Sequence, residues 1–116
     1  MSEIIDLKDV MERVQDDKEL LLELLEIYQE DFVGKRKALG EAIKNNEFQK
    51  VKELAHSLKG SSGNISAKPL HANFLKIEYM LQNKDLSMAG AVLAEIDQQF
   101  AQLKLFVIEL NKKFSA

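Results

Sequence analysis

The residues best suited to chemistry lie in one short stretch, 55–63, which reads AHSLKGSSG. Counted from His56, Lys59 is at i+3, Gly60 at i+4 and Gly63 at i+7, positions that share one side of a helix. Each glycine inside a helix costs about 1 kcal/mol relative to alanine, and a broken local rule often marks a functional site. The pattern predicts an imidazole that a macromolecule can approach closely, with an ammonium placed to meet an anion on the ring.

The same stretch can also be read as a loop, with Gly60 as the C-terminal cap of a helix. Two observations favour a helix that continues. The inner apolar stripe keeps its phase beyond the glycines, and the next helix start, Pro69, lies nine residues after Gly60, which is long for a bundle loop. The stripe consists of Val51, Leu54, Ala55, Leu58, Ser62 and Ile65. The sequence leaves open where this helix ends, and Ser66 is the position to examine for its end.

The elements that must position these residues are helices, because the apolar pattern has a helical period along the whole chain. The predicted boundaries are a cap at Asp6, a cap at Asp16 or Asp17, a hinge at Asn45-Asn46, Pro69 in the first turn of a fourth helix, and a cap at Ser87. One of Gly34 and Gly40 is a candidate bend in the second helix. The sequence predicts one all-α domain over residues 1–116, an antiparallel up-and-down four-helix bundle with a short additional N-terminal helix.

The composition excludes several classes of function. Hydrophobic residues make up 46% and charged residues 30%, and the net charge of −3 argues against a nucleic-acid surface. We interpret the one basic cluster, Lys35-Arg36-Lys37, as a solvated helix face. Without cysteine there is no thiolate metal site and no Cys nucleophile. We find no signal peptide and no apolar run that spans a bilayer, so we expect a cytoplasmic protein.

The stretch AHSLKGSSGNISA resembles the signature of histidine-containing phosphotransfer (HPt) domains, commonly His-x-x-Lys-Gly with Gly or a small residue three positions later. The matching positions are His56, Lys59, Gly60 and Gly63. Glu78 stands twenty-two residues after the histidine, where the family often has Glu or Gln. The predicted bundle also resembles the family fold over the whole chain.

Two positions depart from the family pattern. Ser66 stands where many members have a third glycine, a difference expected to affect the helix end more than the chemistry. Leu75 stands where the chemotaxis-kinase branch has a second histidine, which argues against membership of that branch.

By this resemblance, Nε2 of His56 accepts a phosphoryl group from a receiver-domain aspartyl phosphate or a kinase and passes it to a response-regulator aspartate. Such transfer is mostly positioning plus charge stabilisation, and the imidazole attacks as the neutral base. Glu78 would accept a hydrogen bond from Nδ1–H, and Lys59 would pair with the phosphoryl oxygens. The docking surface would comprise Gly60 and Gly63, which keep the approach clear, and Lys52, Ser57 and Ser61.

The chain lacks a nucleotide-binding glycine motif and an Asp/Asn set recognisable as a magnesium site. We therefore expect a covalent phosphocarrier without kinase activity and without a metal or cofactor of its own, with Mg²⁺ held by the receiver. The resemblance implies receiver domains and a sensor or hybrid histidine kinase as partners, no nucleic acid, no membrane, and a monomeric state.

Two other functions stay open. Glu53 and His56 form the Glu-x-x-His pair of di-iron or di-manganese carboxylate bundle enzymes. The second copy is incomplete, because Lys68 stands where His71 would need its glutamate, and Lys59 would repel a metal. A stoichiometric iron or manganese pair in purified protein would support this enzyme. The remaining possibility is a non-catalytic helical adaptor that binds a partner through the exposed face. We interpret His71 as a surface residue, because it stands near the expected N-terminus of a helix, where a cation is disfavoured.

Overall fold

The computed structural model describes residues 3–115, which form five α-helices with no strand among them. The helices are α1 (Leu7–Arg13), α2 (Lys18–Lys44), α3 (Phe48–Asn64), α4 (Lys68–Gln82) and α5 (Ala89–Ser115). Each of α2, α3 and α4 packs on the helix that follows it, α5 packs back on α2, and α1 lies on α2. Consecutive helices are thus neighbours with short connections, as in an up-and-down bundle. The predicted all-α architecture is confirmed.

Two aspartates begin the first two helices. The Asp6 side chain accepts a hydrogen bond from the N–H of Asp9, and the Asp17 side chain accepts one from Leu20, each at 3.0 Å. A carboxylate at this position satisfies an N–H of the first turn that has no partner within the helix. Of the two candidates for α2, Asp17 is therefore the cap and Asp16 is not.

The later boundaries agree with the sequence except at α5. α2 ends at the predicted hinge, where Asn46 has a left-handed φ of 54°, and Pro69 lies in the first turn of α4. The prediction that Ser87 caps α5 is wrong, because α5 begins two residues later at Ala89. The Asp85 carboxylate instead accepts a hydrogen bond from the N–H of Ser87 at 3.0 Å, so Ser87 belongs to a turn before the helix.

The predicted apolar stripes face one another in one core. Its fully buried side chains include Leu21, Leu25, Leu39, Val51, Leu58, Leu70, Ile77, Ile96 and Leu103. Phe32 of α2 stacks on Phe100 of α5, with ring centroids 3.9 Å apart, and meets Phe74 of α4 edge-on at 6.4 Å. Burying a side chain of this size stabilises the fold by about 1.5–3 kcal/mol. Packing in the core therefore fixes the positions of α3 and α4, and with them the positions of their outward-facing residues.

The basic cluster on α2 is not simply solvated, because Arg36 reaches across to α5. Its guanidinium makes two bonds to the carboxylate of Asp97, at 2.8 and 2.9 Å. A Cβ at position 40 would lie 2.8 Å from a guanidinium nitrogen of Arg36. Gly40 therefore leaves room for the side chain that links α2 to α5.

α3 ends at Asn64, two residues before Ser66, which settles a boundary that the sequence left open. Ile65 is the C-cap, and Ser66 has a left-handed φ of 57°. The N–H of Ser66 donates to the Gly63 carbonyl at 3.0 Å. The N–H of Ala67 donates to the Ser62 carbonyl at 2.9 Å. These two bonds form a Schellman motif, which satisfies carbonyls of the last helical turn.

Ser66 also ties α1 to the turn between α3 and α4. Its hydroxyl donates to the Asp9 carboxylate, and its carbonyl accepts from the N–H of Asp6 at 3.0 Å. The bond from Ser66 holds the pKa of Asp9 below its ordinary value. The bond that Lys68 donates to Asp6 at 2.9 Å likewise lowers the pKa of Asp6. These polar contacts join α1 to the turn before α4, in addition to the packing of the buried Ile5 and Val10 in the core.

Candidate functional site

His56 lies on the outward face of α3. The helix continues through Gly60 and Gly63 to Asn64, so the phase of the inner stripe predicted the local structure correctly. The neighbouring Ala55 is fully buried, whereas the side chain of His56 is 73% exposed. The imidazole is thus open to another molecule although it stands on a helix whose opposite side is core.

Glu78 of α4 faces the same imidazole. Its Oε2 lies 3.7 Å from Nδ1 of His56, which is longer than a hydrogen bond but close enough for a charge on the ring to be felt. The carboxylate side chain is only 21% exposed. Because Nδ1 is the ring nitrogen that faces the carboxylate, Nε2 is left on the far side of the ring.

Lys59 contacts the other oxygen of the same carboxylate. Its Nζ lies 2.7 Å from Oε1 of Glu78, and the two side chains are 22% and 21% exposed. Oε1 is buried and has no partner with hydrogen-bond angles, so the contact is an ion pair by distance rather than a well-directed bond. The ammonium therefore offsets the burial of a carboxylate that would otherwise be costly. The carboxylate of Glu78 thus contacts the Lys59 ammonium with one oxygen and faces the His56 imidazole with the other.

The two glycines of the motif have different surroundings. Gly60 is exposed, and a Cβ built there meets no atom within 4 Å. A Cβ at Gly63 would lie 3.2 Å from Nδ1 of His71 on α4. Gly60 opens onto solvent beside the imidazole, whereas Gly63 lies in the contact between α3 and α4.

His71 is not the surface residue that the sequence indicated. It is half-buried, and its Nδ1 lies 3.0 Å from the backbone carbonyl of Lys59. A carbonyl only accepts, so the ring must carry its proton on Nδ1 in this arrangement. One sequence signal was available, since His71 and Glu78 are seven residues apart and therefore share a face of α4.

The remaining predicted docking residues surround this centre. Ser57 accepts a hydrogen bond from Nζ of Lys35 at 2.7 Å, and Ser61 donates to a backbone carbonyl of its own helix at 3.2 Å. Lys52 is exposed and, with Glu78, lines a cleft of about 250 Å³. The sequence indicated Lys35 of α2 only as part of a solvated basic cluster, because its position beside Ser57 depends on how α2 packs against α3.

A second groove lies next to this surface, between α2 and the end of α3. Its volume is about 240 Å³, and its lining residues are Leu24, Ile27, Tyr28, Asp31, Ser61, Asn64 and Ile65. Ile27 is 61% exposed in it. Ser61 belongs to both surfaces, so the imidazole face continues into an apolar one.

Within residues 3–115 no three or more His, Cys, Asp and Glu side chains are grouped so that they could hold a metal ion. None of the helices that the structure describes combines the length and apolar character needed to cross a membrane.

Comparisons with known proteins agree with the resemblance seen in the sequence. A family model described as the Hpt domain matches residues 23–105, a range that includes every site residue named above. No curated protein matches the chain. The fold is similar to the crystal structure of histidine-containing phosphotransfer protein B (HptB) from Pseudomonas aeruginosa PAO1, with a TM-score of 0.87 and 19% sequence identity. That match covers 97% of this chain and 98% of the other, and at this identity it shows the fold.

Proposed function

The chain belongs to the Hpt domain family, and from that premise we propose that it is a phosphorelay intermediate that carries a phosphoryl group on His56. The donor is a receiver-domain aspartyl phosphate, and the acceptor is a response-regulator aspartate, with a sensor or hybrid histidine kinase supplying the relay. The observation that carries the proposal is the exposed imidazole of His56 with the Glu78 carboxylate on its Nδ1 side. This arrangement leaves Nε2 free for a partner.

The proposed transfer step makes use of that geometry. The lone pair of Nε2 attacks the phosphorus of the aspartyl phosphate, the new N–P bond forms, and the P–O bond to the aspartate breaks. The electron pair of the broken bond leaves with the aspartate as its carboxylate. The ring keeps its proton on Nδ1 and gains positive charge, which the carboxylate of Glu78 stabilises.

Lys59 changes partner in this proposal. In the resting protein its ammonium is paired with Oε1 of Glu78 at 2.7 Å. A phosphoryl group on His56 brings new anionic oxygens to the same face, and a lysine on a flexible four-carbon stem can turn towards them. Glu78 then keeps its other oxygen directed at Nδ1 of the charged ring.

The receiver docks over Gly60 and the apolar groove beside Ser61. Gly60 adds no side chain to the face, and the exposed Ile27 gives the groove apolar area to cover. We further propose that the Mg²⁺ that phosphoryl transfer needs is held by the receiver, and that this chain acts as a phosphocarrier without kinase activity.

Incubation with a phosphorylated receiver tests the proposal. Wild-type protein should acquire an acid-labile, base-stable phosphoryl adduct, and His56→Gln should acquire none. His71→Asn provides the control, since the chain has two histidines and this variant retains His56. Equal labelling of His56→Gln and wild type would exclude His56 as the acceptor. Binding of the receiver with no labelling of the wild type would indicate an adaptor instead of a carrier.

A further inference from the structure

Lys59 is held at both of its ends by residues of α4. Its backbone carbonyl accepts from Nδ1 of His71 at 3.0 Å, and its ammonium lies 2.7 Å from Oε1 of Glu78. His71 and Glu78 are seven residues apart, two helical turns, and both face α3. We refer to His71, Lys59 and Glu78 as the α3–α4 clasp.

The geometry of the helices explains why one residue can be held twice. α3 and α4 run antiparallel, so His71 in the early part of α4 meets the last turns of α3. The Lys59 side chain projects back towards the N-terminus of α3, as side chains on helices do. Its ammonium therefore meets α4 further along, at Glu78, which also faces His56.

Gly63 makes the backbone half of the clasp possible. A Cβ at this position would lie 3.2 Å from Nδ1 and 3.6 Å from Cε1 of His71. The imidazole therefore lies where any larger residue at 63 would press on it. The missing side chain lets the ring come close enough to reach the carbonyl of Lys59.

We propose that His71 is a positioning residue for phosphoryl transfer. By donating a hydrogen bond to the Lys59 carbonyl, it fixes the register between α3 and α4. That register holds the carboxylate of Glu78 opposite Nδ1 of His56. His71 itself touches neither the phosphoryl group nor the reacting nitrogen. Its part in the reaction rests on the proposed function, whereas the existence of the clasp does not.

Two substitutions separate the hydrogen bond from the bulk of the side chain. His71→Leu fills similar space but has no donor. His71→Asn keeps a donor, because its Nδ2 is the same number of bonds from the backbone as Nδ1 of histidine. Lys76→Ala, at an exposed position of the same helix, is the matched control.

The first measurement needs no partner protein. In ¹³C NMR spectra, His71→Leu should shift the side-chain carboxyl signal of Glu78 and the backbone carbonyl signal of Lys59, while His71→Asn and Lys76→Ala leave both near their wild-type positions. Unchanged signals in His71→Leu would overturn the clasp. If His71→Leu does not fold, as judged by circular dichroism, shifted signals in a folded His71→Asn would overturn the claim that the donor matters.

The second measurement is the rate of labelling of His56 by a phosphorylated receiver and, separately, by phosphoramidate, a small N–P donor. His71→Leu should be slower with both by about tenfold, less than the ~10²-fold that a 1 Å misplacement can cost. His71→Asn should recover most of the rate. A wild-type rate in His71→Leu, with shifted NMR signals, would overturn the positioning role and leave the clasp as packing. Failure of the wild type to label would instead overturn the proposed function, since the NMR result stands without it.

Discussion

Replacing Gly60 by alanine should make the protein more stable and the relay slower. Gly60 lies inside α3, and the added methyl group meets no atom within 4 Å. The gain in helix propensity is about 0.5–1 kcal/mol. For a domain of this size, that increase in the free energy of unfolding corresponds to a rise in Tm of roughly 2–5 °C. Urea unfolding followed by circular dichroism measures it directly.

Gly63→Ala is the matched control in the same helix. Its methyl group would lie 3.2 Å from Nδ1 of His71, so the ring must move or its bond to Lys59 must weaken. Loss of that bond costs about 0.5–1.5 kcal/mol, which cancels or exceeds the propensity gain. The propensity gain is itself smaller at position 63, because this residue belongs to the last turn of α3. We expect Gly63→Ala to be neutral or less stable than wild type.

The effect of Gly60→Ala on transfer should depend on the size of the donor. A methyl group inserted into a close-packed contact costs about 1–3 kcal/mol. Because about 1.4 kcal/mol corresponds to a factor of ten, labelling of His56 by a receiver should slow by roughly tenfold. Labelling by phosphoramidate needs no docking surface, so its ratio to the receiver rate should rise by the same factor.

Three results would refute this reasoning. A wild-type receiver rate in Gly60→Ala would show that the glycine does not clear the docking face. A loss of stability in Gly60→Ala would contradict the open surroundings of the glycine. Equal gains in stability for Gly60→Ala and Gly63→Ala would mean that the contact with His71 imposes no constraint.

Other predictions test separate parts of the structure. Lys59→Ala should slow transfer by up to about 10²-fold while its helical circular dichroism stays unchanged. An unchanged rate would show that the ammonium does not stabilise the transferred phosphoryl group. Burial raises the pKa of Tyr28 to about 12, and its hydroxyl lies 2.7 Å from that of Ser62. A double-mutant cycle with Tyr28→Phe and Ser62→Ala should give a coupling near 1 kcal/mol in urea, whereas additive losses would contradict the bond. The pKa of Asp6 is held below 3.8 by the bond from Lys68, so this contact stabilises the fold above about pH 4 and is lost as pH falls through the lowered pKa. In Lys68→Met the free energy of unfolding should therefore depend less on pH in the acid range. A dependence identical to that of the wild type would rule out a stabilising role for this pair.

Much of the helical framework could be predicted because it depends on spacing within a segment. The inner stripe kept its phase through Gly60 and Gly63, and burial of that stripe outweighs the poor propensity of two glycines. The caps at Asp6 and Asp17 follow from a side-chain rule that acts over three residues. The exposed position of His56 follows from the same helical phase.

The contacts between helices could not be predicted in this way. The sequence placed Lys59 near His56 but not in an ion pair with Glu78, because that contact depends on the register between α3 and α4. The same register places the ring of His71 against Gly63 and within hydrogen-bond distance of the Lys59 carbonyl. The apolar period within one helix contains no information about the axial position of the helix packed beside it. The residues of the site could therefore be identified from the sequence, whereas the contacts between them depend on tertiary packing.

That register begins at Ser66, the position where many family members have glycine. A non-glycine residue in the left-handed region costs about 1–2 kcal/mol, and Ser66 has a φ of 57°. Its hydroxyl donates to the carboxylate of Asp9, and this charge-assisted bond offsets part of that cost. Serine can therefore hold this turn where α1 supplies the carboxylate that accepts its hydroxyl bond. This turn directly precedes α4, so the short N-terminal helix contacts the bundle at the point where α4 begins.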